Sequence, residues 1–332
     1  MKKWLLLLVA LLTMFVISAC GSSDETNGSS DEDSESTEEN TTEDADAEET
    51  AENEAEASEE SDAPEELIMG FVPSQDSDTI ADTVAPLADR LSEELGIPVE
   101  GKVMTNYTAL VEAMGTNEVQ IGFIPAFAYV LANDKHDVEV ILKSERYGSG
   151  TYVAQYLVSA DSEYEELADL EGAVWAYGDP TSTSGYLFPA AQIMDEFDVD
   201  DPQTEFFSEA YLTGGHDNSA IEVYEGRADV ATTFDDVRTN LEEEYPDIME
   251  KTRVLGYTDE IPNDTISVTS ELSDELVQTI KDSFLSFNED EDMIQIMNDV
   301  YSWDAIIEAE DSEYDIVRET YSKFSDIDIN DL

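Results

Sequence analysis

The stretch Asp179-Pro-Thr-Ser-Thr-Ser-Gly-Tyr186 joins a segment typical of a buried strand to one typical of a helix. Apolar residues 173–177 precede it, and an apolar segment at 187–197 follows it. The three hydroxyl side chains of residues 182–184 therefore lie at a helix N-terminus, where backbone N–H groups are unpaired and a partial positive charge develops. This arrangement predicts a site for an anion such as phosphate. One hydroxyl alone would most simply cap the helix, but three in a row before Gly185 favour a ligand.

Strand-like and helix-like segments alternate on both sides of this stretch, which predicts an α/β fold with two mixed, mostly parallel sheets. In such sheets, ligands bind beyond the carboxyl ends of the strands. Tyr107, residues 182–184 and Asp235-Asp236 each follow a predicted strand, so we expect them to share one site. The predicted strands are 67–72, 99–104, 119–124, 138–142, 152–158, 173–177 and 229–233. The predicted helices are 79–95, 107–114, 126–132, 187–197, 219–224, 237–245, 274–287, 292–300 and 312–324.

The N-terminus predicts secretion. Lys2 and Lys3 precede an apolar run at 4–17, which is too short for a confident membrane span and is typical of a signal peptide covering residues 1–19. Ile17-Ser-Ala-Cys20 resembles the lipobox of bacterial lipoproteins, and this resemblance implies that Cys20 is lipidated and becomes the mature N-terminus. An ordinary cleaved signal with a chance cysteine is the alternative. Cys20 is the only cysteine, so no internal disulfide can form.

The segment after Cys20 predicts a disordered tether, assigned to residues 20–64. Residues 21–64 contain 19 acidic residues, no basic residue and no aromatic residue. Such a composition cannot bury enough apolar surface to fold, and its charges repel one another. We therefore expect the tether to hold a folded domain away from the membrane.

The rest of the chain, 65–332, is strongly acidic, with 62 acidic and 12 basic residues. This balance argues against nucleic acid or an anionic membrane surface as a partner, because both require positive protein surface. A solvated acidic surface suits high salt, where screening limits repulsion. We therefore infer a salt-tolerant or halophilic bacterium as the source.

Several motifs together resemble the phosphate-, phosphite- and phosphonate-binding proteins of ABC importers. They run in order along the chain and cover essentially all of 65–332. They are Thr105-Asn-Tyr107, Val119-Gln-Ile-Gly-Phe123, Gly150-Thr-Tyr152, the stretch 179–189, Gly215-His216-Asp-Asn-Ser-Ala220, Ala228-Asp-Val-Ala-Thr232 and Ile261-Pro-Asn-Asp264. The resemblance implies a two-lobed, type II periplasmic-binding-protein-like fold with the ligand in a central cleft. We place the crossings between lobes near 155 and 260, so that lobe 1 comprises 65–155 plus 262–332 and lobe 2 comprises 156–261.

The resemblance also implies roles for individual residues. Ser182 and Thr183 would hold the phosphorus oxyanion through hydroxyls and N–H groups with Ser184 beside them. His216 would donate a further hydrogen bond, with the charged imidazolium as one candidate form. Phenolic donors would come from Tyr107 and Tyr152. Two carboxylates, Asp236 and Asp264, match those that hold the ammonium of aminoalkylphosphonates. No Lys or Arg lies in these motifs, so neutral donors would carry most of the recognition.

Each of these positions also has a purely structural interpretation. His216 can stabilise a turn or cap a helix. The two tyrosines can be core residues whose hydroxyls have hydrogen-bond partners within the protein. Asp236 lies in a protein full of surface acids, and Asp264 follows Pro262-Asn263, where it can stabilise a turn. Some members of the family carry Glu where this chain has the shorter Asp236, so the identity of the ligand is not decided by this position.

We therefore predict a lipid-anchored, monomeric solute-binding protein on the outer face of the cytoplasmic membrane, with no cofactor or metal. It would capture a phosphonate, with 2-aminoethylphosphonate as one candidate, by hinge closure and deliver it to an ABC permease and ATPase. Phosphite and inorganic phosphate are alternative ligands. An enzyme built on Ser182, His216 and Asp236 is disfavoured because Ser182 lacks a Gly-x-Ser-x-Gly turn. A receptor without transport is a third possibility.

Overall fold

The computed structural model describes residues 64–324. The signal peptide, Cys20 and nearly all of the tether lie outside this range, so the conclusions about them stay predictions. Within it, no helix is both long and apolar enough to cross a membrane.

Two β-sheets organise the described residues into two lobes. The strands are β1 (Leu67–Phe71), β2 (Val99–Val103), β3 (Ile121–Ile124), β4 (Glu139–Glu145), β5 (Thr151–Ser159), β6 (Val174–Tyr177), β7 (Glu209–Leu212), β8 (Val230–Phe234), β9 (Thr252–Pro262), β10 (Thr265–Val268) and β11 (Ala305–Glu308). The first lobe contains a six-stranded sheet in the order β11-β4-β10-β3-β1-β2, and the second lobe a five-stranded sheet in the order β7-β6-β8-β5-β9.

Helices cover the faces of both sheets. They are α1 (Ser77–Leu95), α2 (Tyr107–Gly115), α3 (Ala126–His136), α4 (Phe188–Phe197), α5 (Pro202–Glu205), α6 (His216–Tyr224), α7 (Val237–Leu241), α8 (Ile248–Lys251), α9 (Asp274–Ser286), α10 (Glu291–Tyr301) and α11 (Asp315–Tyr321). A π-helical turn, Thr183–Leu187, leads directly into α4.

Strand β1 shows why the first lobe forms. All five of its residues are buried, as expected for a central strand with helices on both faces. Successive side chains point to opposite faces, so Met69 joins the apolar cluster of α1, α9 and α10, and Ile68 joins that of α2 and α3. A Cβ on Gly70 would lie 2.3 Å from Leu110 of α2, so this glycine allows the helix to pack closely.

The second lobe has an aromatic core. Trp175 on β6 stacks on Tyr186, with ring centroids 5.5 Å apart, and also contacts Tyr177 and Phe207. The indole Nε1 of Trp175 donates to Oγ1 of Thr232 on β8 at 2.8 Å. Because the buried polar atom is satisfied, the indole both fills the core and fixes the π-helical turn against β6 and β8.

The chain changes sheet between β4 and β5, at residues 146–150, and between β9 and β10, at 263–264. The sequence prediction had placed these crossings near 155 and 260. Strands β5 and β9 pair with each other along most of their length, so both belong wholly to the second sheet. The apolar pattern of the sequence does not locate the crossings, because a strand next to a crossing has the same pattern as any other strand.

Both sheets are mixed, with more antiparallel pairing than the sequence suggested. Parallel pairs join β1 to β2 and β3, and β6 to β7 and β8. The remaining pairs, formed by β4, β5 and β9 to β11, are antiparallel. The predicted strands and helices are otherwise present, but β7, β9, β10 and β11 were missed. Strand β9 lies at a sheet edge and exposes Tyr257, Asp259 and Glu260, so its sequence lacks a clear apolar pattern.

The C-terminal segment, residues 311–324, contacts both lobes. The Tyr129 hydroxyl of α3 donates to Asp311 at 2.6 Å, and the Tyr314 hydroxyl donates to the Asn263 carbonyl at 3.3 Å. Lys323 forms an ion pair with Asp195 of α4 in the second lobe. Three of the few cations, Lys143, Arg318 and Lys323, hold this segment in place.

Candidate functional site

A cavity lies between the lobes at the carboxyl ends of β1, β3, β6 and β8. Its lining contains six of the predicted residues, namely Tyr107, Tyr152, Ser182, Ser184, His216 and Asp264. The cavity has a water-accessible volume of about 30 Å³. The strand ends therefore bring Tyr107, Ser182 and Ser184 to one small space, whereas Asp235 and Asp236, which we expected there as well, do not line it.

Hydrogen bonds join the two lobes around the cavity. The N–H of Tyr107 donates to Oδ2 of Asp179 at 3.4 Å, and the N–H of His216 donates to the Ser74 carbonyl at 2.9 Å. Each bond links an element of one lobe to an element of the other. The structure therefore represents the closed arrangement of the two lobes.

Ser182 is both a helix cap and a cavity residue. Its Oγ accepts from the N–H of Gly185 at 3.0 Å and lies 3.3 Å from Nε2 of His216. The first N–H groups of the following turn, at Thr183 and Ser184, have no intrahelical acceptor. The Ser184 hydroxyl interacts with the Tyr152 phenol. The turn thus offers hydroxyls and N–H groups together, as predicted.

Thr183 has a different position from the one we predicted. Its side chain is fully buried, and Oγ1 accepts a 2.9 Å hydrogen bond from the N–H of Phe127 at the start of α3. The residue does not line the cavity. Alternate residues of a tight turn point in different directions, so three consecutive hydroxyls cannot all face one ligand.

His216 is buried and neutral. It is 4% exposed, and its ring packs edge-on against Phe234 with centroids 5.0 Å apart. Burial lowers the pKa of His216 from 6.5 to about 3, and the charge of Arg146 acts in the same direction. The imidazolium that we considered from the sequence therefore does not form near neutral pH, and the ring contributes one N–H donor.

The two tyrosines that we predicted for the site, Tyr107 and Tyr152, stay protonated. Burial raises the pKa of Tyr107, and Asp179 and Asp264 raise it further. Burial, followed by Asp264, raises the pKa of Tyr152. Both phenols remain O–H groups at any physiological pH and can donate to an anion.

The two predicted carboxylates separate in the structure. Asp264 lines the cavity, and burial raises its pKa while Arg146 opposes that shift. Asp236 does not line it: its side chain is 55% exposed and lies 3.9 Å from Arg238. Asp236 has a left-handed backbone conformation, φ 59°, where α7 begins, and this turn directs it to solvent. The neighbouring Asp235 is the more buried acid, and burial raises its pKa while Arg146 opposes the shift.

Arg146 is the main residue that the sequence reasoning missed. It follows β4, lines the cavity and is 4% exposed. Its guanidinium carbon lies 5.5 Å from the ring centroid of Tyr152 and 5.0 Å from that of Phe234. We expected neutral donors to carry most of the recognition because the motifs contain no Lys or Arg, and the structure adds one buried cation to the cavity lining. A signal was present, since an arginine directly after a buried strand is conspicuous in a chain this poor in cations.

Several buried polar atoms of the cavity residues lack a hydrogen-bond partner within the described part of the chain. They are Oγ of Ser74, Nε of Arg146, Nδ1 of His216 and Nε1 of Trp303. Buried polar groups are normally satisfied, so unsatisfied donors around one space point to a ligand with acceptor oxygens. The described residues contain no group of three or more side chains suited to a metal ion.

Comparison with known proteins relates most of the chain to one family. The profile of the family described as ABC transporter, phosphonate, periplasmic substrate-binding protein matches residues 69–314. The Phosphate-import protein PhnD of Mycolicibacterium smegmatis is 26% identical over 273 residues, which cover 77% of this chain and 84% of that protein. The Phosphonates-binding periplasmic protein of Escherichia coli is 24% identical over 226 residues, which cover 67% and 66% respectively.

Solved structures give the same fold. A binding protein component of an ABC phosphonate transporter from Pseudomonas aeruginosa matches with a TM-score of 0.70 at 23% identity, covering 77% of this chain and 85% of that one. PhnD1 from Prochlorococcus marinus, in complex with methylphosphonate, matches with a TM-score of 0.70 at 20% identity, covering 80% and 100%. The two-lobed type II fold predicted from the sequence is therefore confirmed.

Proposed function

The chain belongs to the phosphonate family of periplasmic substrate-binding proteins of ABC transporters, and we propose that it captures a small phosphorus oxyanion in the cavity between its lobes. Binding proteins of this kind work with a permease and an ATPase. Closure of the lobes around the oxyanion would produce the ligand-bound conformation that the permease recognises.

The set of donors around the cavity is the observation that carries this proposal. The hydroxyls of Ser182 and Ser184, the phenols of Tyr107 and Tyr152, and the ring of His216 converge on one small space. A phosphorus oxyanion presents at least two acceptor oxygens and needs such donors. The buried guanidinium of Arg146 lines the same cavity and adds a positive charge to these neutral donors.

Two classes of ligand follow from different residues. Asp264 supports an aminoalkylphosphonate such as 2-aminoethylphosphonate, since a carboxylate can accept from an ammonium group. The buried Arg146 and the small volume support a compact ion, namely methylphosphonate, phosphite or inorganic phosphate. One curated relative is named for phosphate and another for phosphonates, so the relatives support both classes.

We also propose lipid anchoring through Cys20 and an acidic tether, which would hold a monomeric domain at the outer face of the cytoplasmic membrane of a salt-tolerant bacterium. The N-terminal sequence and the net charge of −67 support this placement. Acyl-chain analysis of the mature protein by mass spectrometry tests it, and a mature N-terminus other than a lipidated Cys20 would contradict it.

We propose binding rather than catalysis. Ser182 lies 3.3 Å from His216, the geometry of a nucleophile and its base. The predicted third member, Asp236, is exposed and lies outside the cavity. Without a carboxylate on its Nδ1 the ring lacks the partner that fixes its tautomer and stabilises a positive charge.

Titration calorimetry of the purified protein tests the proposal. The ligands are methylphosphonate, phosphite, phosphate and 2-aminoethylphosphonate, all measured at the same salt concentration. We expect saturable one-to-one binding of at least one of the four. A protein that binds none of them and shows no thermal stabilisation would not be a phosphorus-oxyanion carrier.

A further inference from the structure

We propose that Arg146 determines ligand specificity by occupying the region that faces Asp235 and Asp264, so that the cavity accepts a compact phosphorus oxyanion and rejects one carrying an ammonium group. This inference rests on the proposed function, because it concerns the same cavity. It names the substrate class as phosphite, phosphate or methylphosphonate rather than an aminoalkylphosphonate.

The backbone around Arg146 fixes its position. Arg146 and Ser149 exchange two backbone hydrogen bonds, of 3.0 Å and 2.9 Å, so the crossing between β4 and β5 forms a closed turn. The guanidinium lies between the rings of Tyr152 and Phe234, which stabilise a cation through their π faces. The side chain is therefore held against the cavity rather than free to swing away.

The charge of Arg146 has no direct counter-ion. Within residues 64–324 no carboxylate oxygen lies within 4.0 Å of its guanidinium, although acids greatly outnumber bases. Its Nε is buried without a hydrogen-bond partner. Burying an unpaired charge is unfavourable, so the site is completed by an anion that accepts from the guanidinium, ideally through two oxygens.

The nearby acids already experience this positive charge. Arg146 acts against the burial-induced rise of the pKa of both Asp235 and Asp264. Arg146 lines the cavity together with Asp264 and the outer groove together with Asp235, so a ligand ammonium that reaches either carboxylate enters a space lined by the guanidinium and is repelled by it. The cation that balances these acids is therefore part of the protein and need not come from the ligand.

Arg146 also limits the size of the ligand. Together with Tyr152 it lines both the cavity and a separate outer groove that contains Asp235 and Glu260. Because both residues line both spaces, we infer that they separate the cavity from the groove. Removing the guanidinium would join the small cavity to an acidic groove, which suits an aminoethyl substituent.

Calorimetry of the wild-type protein with three phosphonates separates size from charge. Methylphosphonate tests the compact class, ethylphosphonate adds one carbon, and 2-aminoethylphosphonate adds the ammonium. We expect methylphosphonate to bind at least about tenfold more tightly than 2-aminoethylphosphonate, with ethylphosphonate between them. Binding of 2-aminoethylphosphonate as tight as that of ethylphosphonate would overturn the proposal, whereas failure of all three phosphonates together with phosphite and phosphate would instead refute the proposed function.

The variant Arg146→Met keeps the aliphatic stem between the rings and removes the charge. We expect methylphosphonate to bind about tenfold more weakly and the affinity ratio to shift toward 2-aminoethylphosphonate by at least about tenfold. The control Arg227→Met removes an exposed arginine paired with Glu222 and should leave the ratio unchanged. If Arg146→Met weakens both ligands in equal proportion, Arg146 does not determine specificity. If this variant does not fold, the comparison of the three phosphonates on the wild-type protein still tests the proposal.

Discussion

The N–H of Phe127 in the first lobe donates a 2.9 Å hydrogen bond to Oγ1 of Thr183 in the second lobe. Phe127 is the second residue of α3, whose preceding residue, Pro125, provides no side-chain cap. Thr183 therefore caps α3 from the opposite lobe, and this cap exists only when the lobes are closed. The Thr183 hydroxyl, which we predicted to contact the ligand, supports the closed state instead.

Thr183→Val should weaken binding of methylphosphonate about fivefold, because a net hydrogen bond of about 1 kcal/mol is lost from the closed state only. Small-angle scattering of the ligand-saturated variant should show a larger fraction of open molecules. Thr183→Ser keeps the hydroxyl and is the control. Equal loss of affinity in both variants would mean that the hydrogen bond is not the cause.

Ser182→Ala should weaken binding of the same ligand by roughly 10- to 100-fold, since a hydrogen bond to a charged group contributes about 1.5–3 kcal/mol. The substitution also removes a helix cap, which costs about 1 kcal/mol of stability. Ser273→Ala removes the cap of α9, where Oγ accepts from Leu276 at 3.4 Å, outside the cavity lining. Calorimetry should show that only Ser182→Ala affects binding, and comparable losses in both would refute the contact.

Asp236→Asn should change the affinity for methylphosphonate and for 2-aminoethylphosphonate by less than about twofold, because an exposed charge is largely screened. Asp236 is 55% exposed and outside the cavity lining. Asp264→Asn, inside the cavity, is the comparison and should change the affinity clearly. A large effect of Asp236→Asn on the amine-bearing ligand alone would restore the sequence-based role of this residue.

Acid should destabilise the wild-type protein through His216. The folded-state pKa, about 3, lies below the unfolded value of 6.5, so the unfolded chain takes up the proton first and stability falls as the pH drops from 6.5 toward 3. Between pH 7.5 and pH 5 this linkage costs about 2 kcal/mol. Chemical denaturation should show that, over the same pH range, the unfolding free energy of His216→Asn falls by about 2 kcal/mol less than that of the wild-type protein.

Asp179, Asp235 and Asp264 have raised pKa values. They act in the opposite direction, since they bind protons more tightly in the folded state. Their contribution is common to the compared proteins. An identical acid loss in wild type and His216→Asn would contradict a neutral, buried His216.

Salt should stabilise the protein. With 81 acidic and 14 basic residues, repulsion acts over roughly 10 Å at 0.1 M salt and roughly 3 Å at 1 M. Raising sodium chloride from 0.1 M to 2 M should therefore raise the thermal midpoint by about 5 °C or more, which corresponds to a few kcal/mol. A midpoint that stays constant or falls would argue against adaptation to salt.

The sequence by itself determined seven of the eleven strands of the described residues, the helices on either side of them, the two-lobed fold and the turn at 182–184. Buried strands such as Leu67–Phe71 and capped helices carry strong local patterns, and the motif order carries the family. Strand β9 was not predictable, because an edge strand exposes charged residues and is held by backbone hydrogen bonds to β5.

Only the tertiary structure decided which polar side chains share the cavity. Within one turn, Ser182 and Ser184 face the cavity and Thr183 faces α3. Of two adjacent acids, Asp235 is the more buried and Asp236 is exposed, because Asp236 has a left-handed backbone conformation. Arg146 enters the site because the chain crosses between the lobes there. Spacing along the sequence determines secondary structure, whereas the direction of a side chain depends on backbone dihedrals and packing from distant segments.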